Sequence, residues 1–108
     1  MRLSDRVEII TGVTTIDDLG NDVIDWSGAG GITRSPAHVT YVSTAVDASG
    51  AFQLSEELRI VLPPMTYDPA TQRIRWRGKT FTANGDVLLR MRGGTLHHIT
   101  VPVREITG

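Results

Sequence analysis

Three histidines, an aspartate cluster and a basic run are the groups in this 108-residue chain whose types and spacing suit chemistry. His97 and His98 are adjacent in "LHHITVPV". On a regular strand neighbouring side chains point to opposite faces, so the two are not expected to share an ion. His38 could join one of them, but the chain has no cysteine and no paired carboxylate to complete a metal-ligand set. Asp17, Asp18, Asp22 and Asp25 crowd the stretch "DDLGNDVID". There Gly20 stands where a calcium loop needs its second ligand, and no closing Glu follows, so the stretch reads as a solvated acidic turn. "GAGG" (28–31) lacks the Lys-Ser or Lys-Thr of a phosphate-binding loop. No Gly-x-Ser-x-Gly elbow is present, and no Ser, His and Asp are placed as a triad. No catalytic residue, metal or cofactor is therefore expected, and the chain reads as non-enzymatic.

The basic run raises a different question. Between residues 73 and 92 lie Arg73, Arg75, Arg77, Lys79, Arg90 and Arg92, with Asp86 the one acid among them. Barrels that bind single strands combine such charge with exposed aromatics for stacking. In "QRIRWRGKTF" (72–81), however, Arg73, Arg75 and Arg77 alternate with Ile74 and Trp76, the period of a strand with one apolar face. Arg77-Gly78 suits a two-residue hairpin loop, which would set Trp76 opposite Lys79 and Ile74 opposite Phe81. Trp76 and Phe81 then belong to the core. What remains for the basic strip is contact with a neighbouring subunit, or with a DNA backbone without base preference.

These groups sit on elements that all read as β. Helical periodicity is missing, and short runs rich in Val, Ile, Thr and aromatics recur between Gly, Pro, Asn and Asp. Strands are expected at 6–10, 23–26, 37–43, 58–62, 87–91 and 96–103, with a hairpin over 72–81 and loops at 17–22 and 27–36. Asn84-Gly85 is a strong hairpin signal. Gly93-Gly94 should turn again and set Met91 opposite Leu96. That register puts Ile99, Val101 and Val103 on the other face from Leu96, a conflict that a bulge or a strand buried on both sides would resolve. Pro102 suggests an edge or a bulge. Residues 44–57, "TAVDASGAFQLSEE", fit no regular pattern and read as a long connection, of the kind that is usually either functional or disordered. The fold class is all-β: one domain over residues 1–108, a small antiparallel barrel of about six strands with one long loop.

Net charge is −1, unevenly spread. Residues 1–57 carry nine acids and three bases, 3 − 9 = −6, and residues 58–108 carry eight bases and three acids, 8 − 3 = +5. Such polarity attracts copies of the same chain or a charged partner, unless the halves intermingle and cancel. The start, "MRLSDRVEII", lacks the apolar stretch of a signal peptide, and no apolar run approaches the roughly 20 residues of a membrane span. A cytoplasmic site of synthesis, away from membranes, is the expectation.

Taken in order, "DRVEI", "DDLGNDVIDWS", "PAHVTYVS", "LRIVLPP", "RIRWRGKTFTANGD" and "MRGGTLHHITVPVREITG" resemble the head-closure proteins of long-tailed bacteriophages, also called head-to-tail stoppers or joining proteins. The resemblance spans nearly the whole chain and rests on strand and turn landmarks rather than catalytic residues. It implies a small β-barrel in the neck of the virion, assembled as a homo-oligomeric ring of twelve copies that retains packaged DNA. A portal–adaptor complex would lie on the head side and a tail protein on the distal side. It also implies that 44–57 is the loop facing the channel, with Asp47, Ser49, Gly50, Phe52 and Gln53 its candidate residues. Asp17, Asp18, Asp22 and Asp25 become the acidic counter-surface to the basic strip of a neighbour. Exposed ion pairs contribute only about 0.2–1 kcal/mol each, so apolar contact and ring closure must supply the rest. The rival readings are a tail-completion or connector adaptor protein and a small nucleic-acid-binding barrel.

Overall fold

The core is assembled from residues two apart. Val7 and Ile9, Ile60 and Leu62, and Ile99, Val101 and Val103 are all buried, with Ile74 and Phe81 facing one another between them. Alternation of this kind leaves one face of each strand for solvent, and the sheet has only to close on itself to enclose the other. It does so in the computed structural model, which describes residues 3–48 and 51–106, and for 42–48 and 51–56 the backbone alone.

The strands are β1 (Asp5–Thr11), β2 (Val13–Ile16), β3 (Asp22–Asp25), β4 (Ile32–Ala48), β5 (Ala51–Leu62), β6 (Gln72–Trp76), β7 (Lys79–Ala83), β8 (Leu88–Arg92) and β9 (Thr95–Ile106). Six of them close an antiparallel barrel in the order β5-β4-β1-β6-β7-β9, with β9 returning to β5. The register can be followed once round, from Gly31 through Thr11, Gln72, Ala83, Val103 and Leu58 to Tyr41, when the β6–β7 pairing is continued by two residues. The path regains β4 ten residues further on (41 − 31), so the strands are steeply tilted, as closure with so few strands requires. The interior is filled. Ile60, Leu62, Ile74, Ile99 and Val101 are fully enclosed. The connection from β5 to β6 adds Tyr67, whose hydroxyl donates to the Gln72 carbonyl at 3.1 Å and whose burial pushes its pKa up to about 12.

Because every barrel pairing is antiparallel, the ends are defined. At the upper end β1 finishes, β4 and β6 begin, β5 and β7 finish, and β9 begins. At the lower end lie the start of β1, the β4–β5 extension, the Arg77-Gly78 turn and the end of β9. The expected 72–81 hairpin is present in the expected register, Ile74 facing Phe81 and Trp76 facing Lys79. Its turn places Arg77 at φ 51° and Gly78 at φ 75°, the doubly left-handed geometry whose twist matches the flanking strands.

Four sequence expectations change. Residues 32–36, read as loop, are the first residues of β4 and pair with β1. Pro36 faces Arg6 there, at a stretch of β4 whose other edge β5 has not yet reached. Residues 44–57 are an excursion, as expected, but a regular one: β4 and β5 pair from His38↔Val61 out to Ala48↔Ala51. Asn84-Gly85 turns no hairpin. Instead β7 and β8 run one after the other along the same edge of β9, Ala83 facing Val103 and Leu88 facing Thr100. The interruption falls at Pro102, whose carbonyl accepts from the Asn84 N–H at 2.7 Å. A residue's N–H and C=O point to the same side of a strand, so Pro102 withholds its donor where the partner strand is broken. Finally, β2 is a strand where none was expected, and β3 pairs with it as a separate two-stranded arm.

Candidate assembly surfaces

Three projections leave the barrel: the β2–β3 arm and the β8–β9 hairpin at the upper end, and the β4–β5 extension at the lower. They account for a radius of gyration of 16.3 Å, against about 13 Å for a compact domain of this length.

The β2–β3 arm is held at its root and bare beyond it. A Cβ on Gly12 would lie 2.4 Å from Ile24 and 3.1 Å from Trp26, and one on Gly30 would lie 2.5 Å from the Thr11 carbonyl oxygen. Gly30 thus serves close backbone packing, and beside it the Thr11 N–H donates to the Gly31 carbonyl. Arg73 lies over the Trp26 ring at 4.0 Å and braces the same root. Of the acidic counter-surface, Asp17 accepts from the Leu19 and Asn21 N–H groups and shapes the turn. Asp25 accepts from the Ser27 N–H, which holds its pKa below the ordinary value. Asp18 and Asp22 are exposed, and so are Ile16, Leu19, Val23 and Ile24.

The basic residues do not form one strip. Arg73 is on Trp26, Arg75 donates to Glu8 at 2.8 Å, and Arg77 lies over Trp76 at 4.7 Å. The Arg75 hydrogen bond and charge hold the Glu8 carboxyl below its usual range. Lys79 is at the lower end, while Arg90 and Arg92 are on β8. Thr80 faces Ile106, whereas Arg90 faces His98 and Arg92 faces Thr95, so roughly 26–36 Å of strand separates Lys79 from those two arginines. Phe81 is buried and Trp76 half-buried, their rings 6.4 Å apart.

The β8–β9 hairpin turns at Gly93-Gly94 and sets Met91 opposite Leu96, as expected. The register conflict is resolved twice over. The pairing shifts between Arg90↔His98 and Met91↔Leu96, leaving His97 as the extra residue of a bulge, and residues 99–103 are buried on both faces. The bulge overturns the expectation that His97 and His98 diverge: their Nδ1 atoms are 2.7 Å apart and their rings meet edge to face. One ring nitrogen donates and the other accepts, so this contact exists only while at least one of the two rings is neutral. Among the described residues no three His, Cys, Asp or Glu side chains gather as a metal site. Desolvation, then His97 and Arg90, lowers the His98 pKa. The NMR titration of His98 should therefore have its midpoint below 6.5, and His97→Gln should move it upward. With the folded value lowered, the unfolded chain binds more protons as pH falls through 6.5, so stability falls on acidification in that window. A His98 midpoint that does not move in His97→Gln would show that the pair is not formed in solution.

The β4–β5 extension carries the candidate channel residues. Asp47 faces Phe52 and Gln53 faces Val46; Ser49 and Gly50 lie outside the described residues. Beyond Tyr41↔Leu58 the two strands pair only with each other among the described residues. At the root of the extension a cleft of about 260 Å³ is lined by Tyr41, Glu57, Lys79 and Glu105 among others, smaller than ordinary small-molecule sites.

No family model matches the chain, and no curated protein matches it in sequence. Among solved structures the chain is similar to one described as "Virion of native gene transfer agent (GTA) particle", with a TM-score of 0.66 and 20% identity, covering 100% of this chain and 99% of that one. At that identity the likeness is one of fold, and it runs from end to end.

Proposed function

We propose that this chain is a non-enzymatic structural protein of a phage-like virion, and that it closes the head-to-tail channel as a ring between a portal–adaptor complex and a tail protein. The observation that carries the reading is the full-length likeness of fold to a chain of a gene transfer agent virion. Three features of the molecule support it. The barrel is packed solid, so DNA has no path through a single copy, and a channel must run between copies. Hairpins project from both ends, which suits a part that meets one neighbour above and another below. The arginines of β6 and its turn are occupied by Glu8, Trp26 and Trp76, which argues against a stacking groove for single strands and leaves only non-specific contact with packaged DNA.

The test is genetic and structural together. Particles made without the protein should fill with DNA and lose it to nuclease, and the purified protein should bind isolated portal-bearing heads. Electron microscopy of decorated heads should then show it at the portal vertex. Density at the tail tip instead would assign it to tail completion, and undiminished DNA retention without the protein would end the closure reading.

A further inference from the structure

We propose that the β2–β3 arm of one copy of this chain docks on the β8 strand of a second copy, acidic and apolar surface against basic and apolar surface. The two elements are the least satisfied among the residues whose side chains are described. Among the described residues β2 and β3 contact only each other of the strands, and β8 contacts only β9. All five residues of β8 are exposed, as are seven of the eight residues in β2 and β3. Their apolar side chains are large: Ile16 is 73% and Leu19 86% exposed on the arm, and Leu89 62% and Met91 58% on β8.

The charges are matched in the same places. Residues 13–25 contain Asp17, Asp18, Asp22 and Asp25 and no base, whereas residues 88–98 contain Arg90 and Arg92 and no acid. Elsewhere the two halves of the chain do intermingle, since β1 pairs with β6 and β5 with β9. The charge polarity of the sequence therefore survives on these two projections. β8 alternates Leu89 and Met91 on one face with Arg90 and Arg92 on the other, and its edge away from β9 is unpaired among the described residues. A strand laid along that edge would gain main-chain hydrogen bonds as well as both kinds of side-chain contact.

The occupant is a second copy because the chain itself supplies the complement. The contact is heterologous, arm to strand, so it repeats from copy to copy and closes when the rotation allows. Both surfaces lie at the upper end of the barrel. Copies joined in this way sit side by side at one height, as a ring requires. The proposal deepens the ring reading above and takes from it only the closure; the pairwise contact stands on the two surfaces.

The chain has no cysteine, so cross-linking is clean. Purified Leu19→Cys and Met91→Cys variants, mixed at high concentration and oxidised, should give a mixed dimer in at least about tenfold excess over either symmetric dimer, the ratio of a 1.4 kcal/mol preference. The double variant should give a ladder of multimers. Asp18→Arg/Asp22→Arg and Arg90→Glu/Arg92→Glu, each introduced into the double-cysteine chain, should lose the ladder alone and regain it when mixed. Circular dichroism of each variant should match the parent, since all six positions are exposed. Monomers only, or symmetric dimers as abundant as the mixed one, would overturn the contact. Cross-linking in this pattern, with particles that retain DNA without the protein, would keep the contact and end the closure reading. Closed, DNA-filled particles bearing the double variant without any 19–91 cross-link would do the reverse.

Discussion

Phe81→Ala should lower the free energy of unfolding by about 3–5 kcal/mol, the loss expected when a large aromatic leaves a cavity in a packed core. Phe81 is 3% exposed and faces Ile74, itself fully enclosed, across the β6–β7 pair. A barrel of six strands has no slack layer into which neighbours can collapse, because each inward residue is held by pairing on both sides of its strand. Trp76, two pairs nearer the turn, is half-buried, and its ring lies beneath Arg77. Trp76→Ala should lose about 1–2 kcal/mol, from partial burial and an exposed cation–π contact. Urea unfolding measures both, and the slope with denaturant should not change, since the surface exposed on unfolding is nearly the same. Equal losses for the two variants would place Trp76 in the core and extend the closed barrel by one layer at its lower end. A loss below 1 kcal/mol for Phe81 would mean that the barrel is not closed in solution.

The contrast between these two aromatics shows what a sequence can carry. The 72–81 hairpin is readable because everything that decides it is local: alternation on both sides of a two-residue Arg-Gly turn. Asn84-Gly85 has an equally strong local signal and a different outcome, because β9 offers one edge to both β7 and β8 and breaks the ladder at Pro102. Turn preference is a property of four residues, whereas the choice of partner strand belongs to the whole barrel. Alternation itself arises from burial on one face. β2 and β3, exposed on both faces, and the outer parts of β4 and β5, which pair only with each other, have no core to impose it. Of those segments, β2 carries no expected strand and 44–57 read as a connection, while β3 alone is met by an expected strand, at 23–26. The His97–His98 contact was foreshadowed only as a conflict of register between Leu96 and Ile99. The shift that resolves it brings the two rings together, an outcome that adjacency on a regular strand would forbid. The charge asymmetry between halves was legible as a count, but its placement on two hairpins at one end required the topology.

The β4–β5 extension should be separable from the stability of the barrel and essential to its function. Among the described residues its strands pair with no third strand beyond Tyr41↔Leu58, so removing the outer rungs takes no backbone pairing from the barrel. Deleting residues 45–54 and joining Thr44 to Ser55 through Asn-Gly keeps the register of the remaining ladder, in which those two residues already face one another. Shortening the connection also lowers the entropy of closing it, if only slightly. The melting temperature should therefore stay within about 2–4 °C of the parent, a change of well under 1 kcal/mol. DNA retention should respond very differently. In the proposed ring every copy presents the same extension, so the shortening is multiplied by the number of subunits and widens the channel all round. Heads assembled with the shortened protein should package DNA normally and then lose most of it, as read by the DNA surviving nuclease in purified heads before tails attach. A variant that unfolds outright would show that the extension is part of the folding unit despite its isolated pairing. A variant that folds, joins particles and retains DNA as the parent does would move closure to the upper end, where the β2–β3 arm and β8–β9 hairpin are the remaining projections.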